Sequence, residues 1–239
     1  MNILAIGNSF SEDATRYLHD IARVDGKNLQ VTNLYIGGCS LERHYRNMLS
    51  DEKAYELQYN GQKTGFSVSL RDALLNRKWD IITLQQVSTL SFIKESYLPY
   101  ITALVDFVRQ YAPKAKLYLH QTWAYEDGSS KLLDIAKYDN ADKMLGDIVK
   151  VNLEIGDMIG AEKIIRSGEL FGELLKKGIK RIHRDTFHAS LGVGRYALAL
   201  LWYRTITKKP VFENRFCDFD EPISEEDLWL IKEAVSRFD

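Results

Sequence analysis

The sequence has few cysteines, no excess of either charge and no long apolar run, and each absence excludes a class of protein. Its 239 residues include only two cysteines, Cys39 and Cys217. Two thiols so far apart form neither a disulfide framework nor a metal-ligand spacing, so we interpret them as small, partly buried side chains. The formal net charge is -1, from 32 basic and 33 acidic residues. This balance gives no electrostatic basis for binding nucleic acid or an anionic membrane surface.

Membrane insertion and secretion are not indicated either. No apolar stretch approaches the roughly 20 residues that a transmembrane helix needs. Met1 leads directly into a short apolar segment, residues 2–6, which is too short for the core of a signal peptide. We therefore expect a soluble protein of the cytoplasm, although prior removal of a leader would leave the same sequence.

Short apolar or β-rich segments alternate with amphipathic ones along the whole chain. Strands are predicted at residues 3–6, 29–36, 80–84, 116–120 and 163–165. Helices are predicted at residues 11–24, 41–48, 97–111, 140–159, 169–177, 190–206 and 225–238, the first with Ser11 as its N-cap. Residues 55–70 carry the turn signals Asn60-Gly61 and Thr64-Gly65, which predict a small hairpin or an irregular excursion.

This alternation is typical of a parallel sheet with helices on both faces. The pattern predicts a three-layer α/β/α sandwich with about five parallel strands. Neither a repeat nor a linker interrupts it, so we expect a single domain over residues 1–239. The long polar segment 121–139 is predicted to be a loop near the functional site.

The segments that follow the predicted strands carry the candidate chemistry, because ligands of open α/β sheets bind beyond the carboxyl ends of the strands. These segments are Gly7-Asn8-Ser9-Phe10-Ser11, Gly37-Gly38-Cys39-Ser40, Gln85-Gln86-Val87-Ser88, Gln121-Thr122-Trp123 and, near the end of the chain, Asp185-Thr186-Phe187-His188. Small residues, amides and one acid–histidine pair are thus expected at one edge of the sheet.

Ser9, His188 and Asp185 have the side chains that nucleophilic catalysis requires. A serine hydroxyl is a weak nucleophile unless a base takes its proton, and His188 can be that base. The base needs a carboxylate on its other ring nitrogen, and Asp185 lies only three residues before it. We therefore predict a catalytic triad of these three residues.

An oxyanion formed at Ser9 would need hydrogen-bond donors that are already in place. The backbone N–H of Ser9 is one candidate, and that of Gly38 is another, because a residue without Cβ lets the backbone come close. The side-chain amide of Gln85 or Gln86 is a third candidate.

The combination resembles the SGNH, or GDSL-like, hydrolases. Gly7-Asn8-Ser9 is similar to their first block, usually Gly-Asp-Ser, Gly38 to the glycine of the second block, and Asp185-Thr186-Phe187-His188 to the Asp-x-x-His of the last block. Two departures stand out. The first is Asn8, which replaces the usual Asp. The second is the third block, where the family usually has Gly-x-Asn-Asp and this sequence has Leu84-Gln85-Gln86-Val87-Ser88. This segment is similar to the Gln-containing block of carbohydrate acetylesterases.

The resemblance implies a flavodoxin-like fold with strand order 2-1-3-4-5 and ester hydrolysis through an acyl-serine, without a metal or an organic cofactor. The expected substrate is a small-molecule or carbohydrate ester, and the Gln-containing block favours an O-acetyl group on a carbohydrate. Because neighbours in a strand face opposite ways, only one of Gln85 and Gln86 is expected to face the site. Analogy with the acetylesterases favours Gln85. The sequence does not indicate an oligomeric state.

Other functions remain open at this point. A non-catalytic flavodoxin-like domain would bind a phosphate at the helix N-terminus. A pseudo-hydrolase that has lost its third block, and a lipase or thioesterase of the same superfamily, are further alternatives. His183-Arg184-Asp185 suggests metal ligands, but no second cluster accompanies it. His120, at a strand end, is interpreted as structural.

Single residues also have simpler interpretations. Ser9 could be a helix cap, and Asp185 could form an ion pair with Arg181 or Arg184 rather than orient a histidine. Trp123 could belong to the core, or it could form a wall of an acyl or sugar pocket and bind substrate.

Overall fold

The computed structural model describes residues 1–238, and seven strands in this range form one mixed sheet. The strands are β1 (Asn2–Gly7), β2 (Gln30–Tyr35), β3 (Tyr55–Tyr59), β4 (Gln62–Val68), β5 (Ile81–Leu84), β6 (Lys116–His120) and β7 (Lys163–Ile165). Their order across the sheet is β4-β3-β2-β1-β5-β6-β7.

Five of these strands, β2, β1, β5, β6 and β7, are parallel to one another. They are the five predicted strands, in the order that the resemblance implies. The predicted hairpin forms as well, and it extends the same sheet, because β3 pairs antiparallel with β2 and β4 pairs antiparallel with β3.

Helices cover both faces of the sheet. They are α1 (Ser9–Thr15), α2 (Leu18–Val24), α3 (Leu41–Ser50), α4 (Leu70–Asn76), α5 (Tyr100–Tyr111), α6 (Ala141–Ile159), α7 (Ser167–Lys176), α8 (Val193–Thr207) and α9 (Glu225–Ser236). A 3₁₀ turn, Lys94–Tyr97, precedes α5, and a π-helical turn, Lys131–Ala136, interrupts the predicted loop after β6.

Strand β1 shows why the core lies on both faces. Ile3 and Ala5 pack with residues of α1, α2, α7 and α8, whereas Leu4 and Ile6 pack with residues of α3, α4 and α5. Side chains alternate between the faces of a strand, so a strand that is buried on both faces is a continuous apolar run. The predicted three-layer α/β/α fold is confirmed.

The start of the first helix differs from the prediction. Residues 11–24 form two helices, and the N-cap is Asn8 rather than Ser11. The Oδ1 atom of Asn8 accepts a hydrogen bond from the N–H of Phe10 at 3.0 Å, and Ser11 reciprocates by accepting the N–H of Asn8 at 3.1 Å. Asparagine and serine both cap helices well. Here Asn8 is the N-cap, and Ser11 occupies the third helical position, from which its side chain completes the capping box. Ser9 is consequently the first residue of the helix.

The other predicted helices begin and end within three residues of the observed bounds, whereas α4 was not predicted. Within residues 1–238, no helix combines the length and the apolarity needed to cross a membrane.

Candidate active site

The turn between β1 and α1 presents Ser9 at the carboxyl end of the sheet. Gly7 ends the strand, and a Cβ atom at this position would lie 2.3 Å from the Oγ atom of Ser11. Only glycine therefore allows the chain to turn this tightly into the helix. The cap at Asn8 then starts the helix so that Ser9 remains partly exposed.

Ser9, His188 and Asp185 are joined by short hydrogen bonds. The Oγ atom of Ser9 lies 2.8 Å from Nε2 of His188, and Nδ1 of His188 lies 2.8 Å from Oδ2 of Asp185. The other carboxylate oxygen of Asp185 accepts the backbone N–H of His188 at 2.8 Å. Because an ionised carboxylate only accepts, Nδ1 carries the proton, and Nε2 is free to accept the hydroxyl proton of Ser9.

The loop that carries Asp185 and His188 is a closed turn. A bridge between His183 and Ala189 closes it, and Thr186 within it has φ of 72°. A β-branched residue in the left-handed region is strained, and such strain is found where the surrounding structure fixes the backbone for function.

The charge of Asp185 suits a residue that orients a histidine. Burial raises the pKa of its carboxyl, but hydrogen bonds from the side chain and backbone of His188 and the nearby Arg184 charge outweigh burial, so its pKa lies below the usual value. Arg184 approaches Asp185 only to 4.0 Å, whereas it pairs with Asp13 at 2.9 Å. The expected alternative, in which Asp185 serves mainly as an ion-pair partner, is therefore not favoured by the geometry.

Ser9 and Gly38, the two residues whose backbone N–H groups were predicted as oxyanion donors, line the same cleft. Gly38 has φ of 59°, which favours glycine, and it lines the cleft together with Ser9. Within residues 1–238, neither the N–H of Ser9 nor that of Gly38 donates a hydrogen bond to the protein. Both remain available to an oxyanion at this position.

The two glutamines of the third block lie elsewhere than expected, and neither is among the described residues that line the cleft. The Nε2 atom of Gln85 donates to Oδ1 of Asn8 at 2.7 Å. The Nε2 atom of Gln86 donates to the backbone and side chain of Ser96, and its Oε1 atom accepts the N–H of Leu41 at 2.9 Å. Both hydrogens on Nε2 of Gln86 have acceptors in Ser96, whereas only one of the two on Nε2 of Gln85 is donated, to Asn8. A direct donor role for one of the glutamines therefore stays a prediction.

Of the two places open to Trp123, the core and the pocket wall, the structure has it in the core. It is fully buried, its ring stacks against that of Phe10 at a centroid distance of 4.1 Å, and its Nε1–H donates to the carbonyl of Phe187 at 2.7 Å. It therefore packs beneath two residues of the cleft, Phe10 and Phe187, which favours the core interpretation over the pocket wall.

The cleft beside Ser9 has a volume of ≈ 450 Å³. Its lining includes Val87, Ser88 and Phe187, which belong to the predicted segments, and four residues that the sequence did not single out, namely Glu12, Tyr35, Thr89 and Lys131. The Nζ atom of Lys131 lies 3.4 Å from the ring centroid of Phe187. The only advance signal for Lys131 was its position in the segment after β6, which was predicted to lie near the site.

A metal centre is not evident in the described part of the chain, where no three histidine, cysteine or acidic side chains are grouped to hold an ion. His183, whose neighbours in sequence suggested ligands, instead donates from Nε2 to the carbonyl of Ala124 at 3.2 Å. Burial lowers the pKa of His183 to about 4.

The family model of DUF4886, a domain of unknown function, matches residues 2–235. The chain belongs to the DUF4886 family. It is similar to a DUF4886 family protein from Bacteroides uniformis, with a TM-score of 0.89 and 34% identity over 99% of this chain and 93% of that one. Among proteins with curated descriptions, none matches the sequence.

More distant structures share the fold of this DUF4886 chain. A candidate GDSL-like lipase from Parabacteroides merdae has a TM-score of 0.58 at 14% identity, over 87% of this chain and 96% of that one. An acetylxylan esterase from Geobacillus stearothermophilus has a TM-score of 0.52 at 15% identity, over 87% of this chain and 92% of that one. The fold is thus that of the GDSL-like hydrolases, as the sequence resemblance implied.

Proposed function

We propose that the protein is a serine esterase in which Ser9 is the nucleophile, His188 the general base and Asp185 the residue that orients it. The observation that carries the proposal is the continuous path from Oγ of Ser9 through both nitrogens of His188 to Asp185, with 2.8 Å at each step. A phosphate-binding domain has no use for an acid–histidine pair held against a serine hydroxyl, so the geometry favours catalysis.

The reaction would follow from the positions of these groups. As Oγ of Ser9 attacks the ester carbonyl carbon, Nε2 of His188 takes the hydroxyl proton, and Asp185 stabilises the resulting imidazolium. The N–H groups of Ser9 and Gly38 would hold the oxyanion of the tetrahedral intermediate. His188 then gives its proton to the leaving alcohol oxygen. Water, deprotonated by the same histidine, hydrolyses the acyl-Ser9 ester and restores the free serine.

For the substrate, we propose an O-acetyl group on a carbohydrate. The cleft is lined by hydroxyl, aromatic and charged side chains, among them Tyr35, Thr89 and Lys131, which suit the hydroxyl groups of a sugar better than a long acyl chain. The third-block resemblance to carbohydrate acetylesterases supports the same class. The fold also accommodates such substrates, since an acetylxylan esterase shares it.

An ester screen tests both parts of the proposal. p-Nitrophenyl esters of increasing acyl length and acetylated oligosaccharides would be compared between the wild type and Ser9→Ala. We expect kcat/KM to be highest for acetyl esters, and loss of the nucleophile to reduce kcat by roughly a million-fold. A fluorophosphonate should give one adduct, located on Ser9 by mass spectrometry.

The outcomes separate the two parts. An active Ser9→Ala protein, or an adduct on another serine, would overturn the esterase mechanism. Ser9-dependent turnover that prefers long acyl chains would retain the mechanism and overturn the acetyl specificity.

A further inference from the structure

Asn8 is fixed by hydrogen bonds at both ends of its side-chain amide. Its Oδ1 atom accepts from the N–H of Phe10 at 3.0 Å and from Nε2 of Gln85 at 2.7 Å. Its Nδ2 atom donates to the carbonyl of Cys39 at 3.0 Å. A backbone N–H can only donate and a carbonyl can only accept, so these partners determine which end of the amide is oxygen.

The chain of hydrogen bonds continues behind Gln85. The Oε1 atom of Gln85 accepts Nδ1–H of His120 at 2.7 Å, and Nε2 of His120 in turn accepts the hydroxyl of Ser167 at 3.0 Å. Each of these side chains is at most 1% exposed. Burial lowers the pKa of His120 to about 3, so the histidine is neutral. The hydrogen-bonded series from Asn8 to Ser167 therefore contains no charged side chain.

These residues connect the elements that meet at the site. Ser167 begins α7, His120 ends β6, Gln85 follows β5, and Asn8 caps α1. The last acceptor is the carbonyl of Cys39, the residue after Gly38. Asn8 therefore joins the turn that presents Ser9 to the loop that presents the second N–H group.

We propose that Asn8, held by Gln85 and His120, is the positioning residue of the oxyanion hole. It fixes the Cys39 carbonyl and thereby the separation of the N–H groups of Ser9 and Gly38. The inference rests on the proposed esterase function. It also gives the third block a role from behind the oxyanion hole rather than as a direct donor.

The same geometry accounts for the amide in place of the usual acid. An aspartate at position 8 could not donate to the Cys39 carbonyl, and its oxygen would face that carbonyl oxygen at hydrogen-bond distance. It would also place a buried negative charge beside the developing oxyanion, where like charges repel strongly because little water screens them. His120 is neutral and would not compensate that charge.

Asn8→Asp tests this role, and Asn214→Asp is a matched control. Asn214 is also 1% exposed, its Oδ1 atom accepts the N–H of Phe216, two residues on, and its Nδ2 atom donates to the carbonyl of Ile21. It lies outside the cleft lining. The control thus introduces a buried carboxyl with the same two backbone contacts, away from the site. It differs in having no counterpart of Gln85 and in having Lys232, whose Nζ donates to the Asn214 carbonyl.

The measurement is kcat and KM for an acetyl ester between pH 5 and pH 8, with thermal unfolding to confirm that both variants fold. At pH 8 we expect Asn8→Asp to lower kcat roughly a hundred-fold with little change in KM, since misplaced oxyanion donors affect the transition state. Burial raises the pKa of a carboxyl, and a protonated carboxyl can donate to Cys39. The ratio of variant to wild-type kcat should therefore rise roughly tenfold towards pH 5.

Among the titratable residues around position 8, Glu12 and His188 line the same cleft, Cys39 accepts from Asn8 through its backbone carbonyl, and His120 is connected to it through Gln85. All are present in both proteins, so the ratio isolates the new carboxyl. The ratio for Asn214→Asp should stay near one and flat with pH. Should Asn8→Asp fail to fold, Asn8→Ser keeps a capping oxygen but lacks the amide donor, and it should lower kcat at every pH.

If the ratio of variant to wild-type kcat stays near one at every pH for the position 8 variants, the inference about Asn8 is wrong. Ser9-dependent turnover by the wild type would in that case still support the esterase function. A wild type without Ser9-dependent turnover would overturn both. Gln85→Met gives an independent check, because loss of its support should lower kcat roughly tenfold at unchanged KM.

Discussion

The carboxylate of Asp13 accepts two hydrogen bonds from Nη1 of Arg184, at 2.9 and 3.0 Å, and this ion pair joins helix α1 to the loop of the acid and the base. Asp13 is fully buried, and it also pairs with Arg195 at 2.9 Å and accepts the N–H of Ala189 at 3.2 Å. Ser9 lies on one side of this link and His188 on the other. Asp13 therefore links the helix that carries Ser9 to the loop that carries His188.

Replacing Asp13 with Asn should affect stability and activity together. It leaves two guanidinium groups without their buried counter-charge, and breaking a buried pair in this way costs about 3–5 kcal/mol. We expect a loss of this size in the free energy of unfolding, measured with urea, and a lower kcat as the loop shifts. Asp220, which pairs with Arg16 and Arg195 but is 25% exposed, provides the control. If Asp220→Asn is as damaging as Asp13→Asn, the special role of Asp13 is wrong.

His188 and Asp185 should behave as a coupled pair. His188→Ala should reduce kcat nearly as much as Ser9→Ala, because the hydroxyl then has no base. Asp185→Asn should reduce kcat less, by roughly ten-thousand-fold, since a poorly oriented histidine can still accept a proton. Steady-state kinetics of the double variant should match those of His188→Ala alone, as residues that act as a unit are not additive. Additive losses would contradict the triad.

Gly38→Ala examines the second oxyanion donor. A Cβ atom at this position has no heavy atom within 4 Å, so the substitution changes only the backbone preference. Alanine in the left-handed region costs about 1–2 kcal/mol, and relaxation of φ from 59° would turn the N–H away from the cleft. We expect kcat to fall roughly tenfold at similar KM.

Gly65 on β4 is the matched control for this strain. Its φ is 77°, and its added Cβ would also meet nothing within 4 Å. Gly65→Ala should lose similar stability by urea unfolding and retain the wild-type kcat. Equal effects of the two substitutions on kcat would mean that Gly38 has no part in catalysis.

Two buried histidines, His44 and His120, and the partly buried His183 should make the fold sensitive to mild acid. Burial lowers the pKa of His44 and of His120 to about 3, and that of His183 to about 4. The unfolded chain takes up protons near pH 6.5, whereas the folded chain does not until well below that, so acid favours unfolding. Each histidine should remove roughly 2 kcal/mol of unfolding free energy between pH 7 and pH 5.

His183→Gln checks this with the least disturbance, because Gln can still donate to the carbonyl of Ala124. The free energy of unfolding would be measured with urea at pH 7 and at pH 5. Its decrease from pH 7 to pH 5 should be about 2 kcal/mol smaller in the variant than in the wild type. Parallel pH profiles of the two proteins would show that His183 does not contribute.

Much of the fold follows from local sequence patterns, whereas the direction of single side chains does not. Runs such as residues 80–84 and 116–120 predict buried strands because they are apolar and short, and both are observed. Strand β4 was harder to place, since most of its residues are exposed and it carries little apolar pattern. Helix α4 was missed, although Ser69 and Asp72 form a capping box that marks its start.

In the candidate site too, contacts between residues close in sequence could be predicted, whereas side-chain orientations that depend on distant residues could not. The three-residue spacing of Asp185 and His188 favoured their contact, which is observed, because one turn of chain can bring the two side chains together. The spacing alone left an ion pair with Arg181 or Arg184 open. The orientation of Gln85 depends on Asn8 and His120, which lie far away in sequence, so strand alternation alone could not decide it. The same holds for Trp123, where an aromatic side chain suits a pocket wall and a core equally well until its neighbours are known.

The hairpin of β3 and β4 also decides which strand ends the sheet. Without it, β2 would expose a row of unpaired backbone N–H and C=O groups, which is a template for pairing with another chain. The outer strand β4 is instead polar at its start, with Gln62 and Lys63, and lysine on an edge opposes such pairing. Gln58 of the same hairpin donates to Glu12 in the cleft wall at 2.7 Å. A relative trimmed to the five parallel strands would therefore lose its protection against aggregation and the support of its cleft in the same deletion.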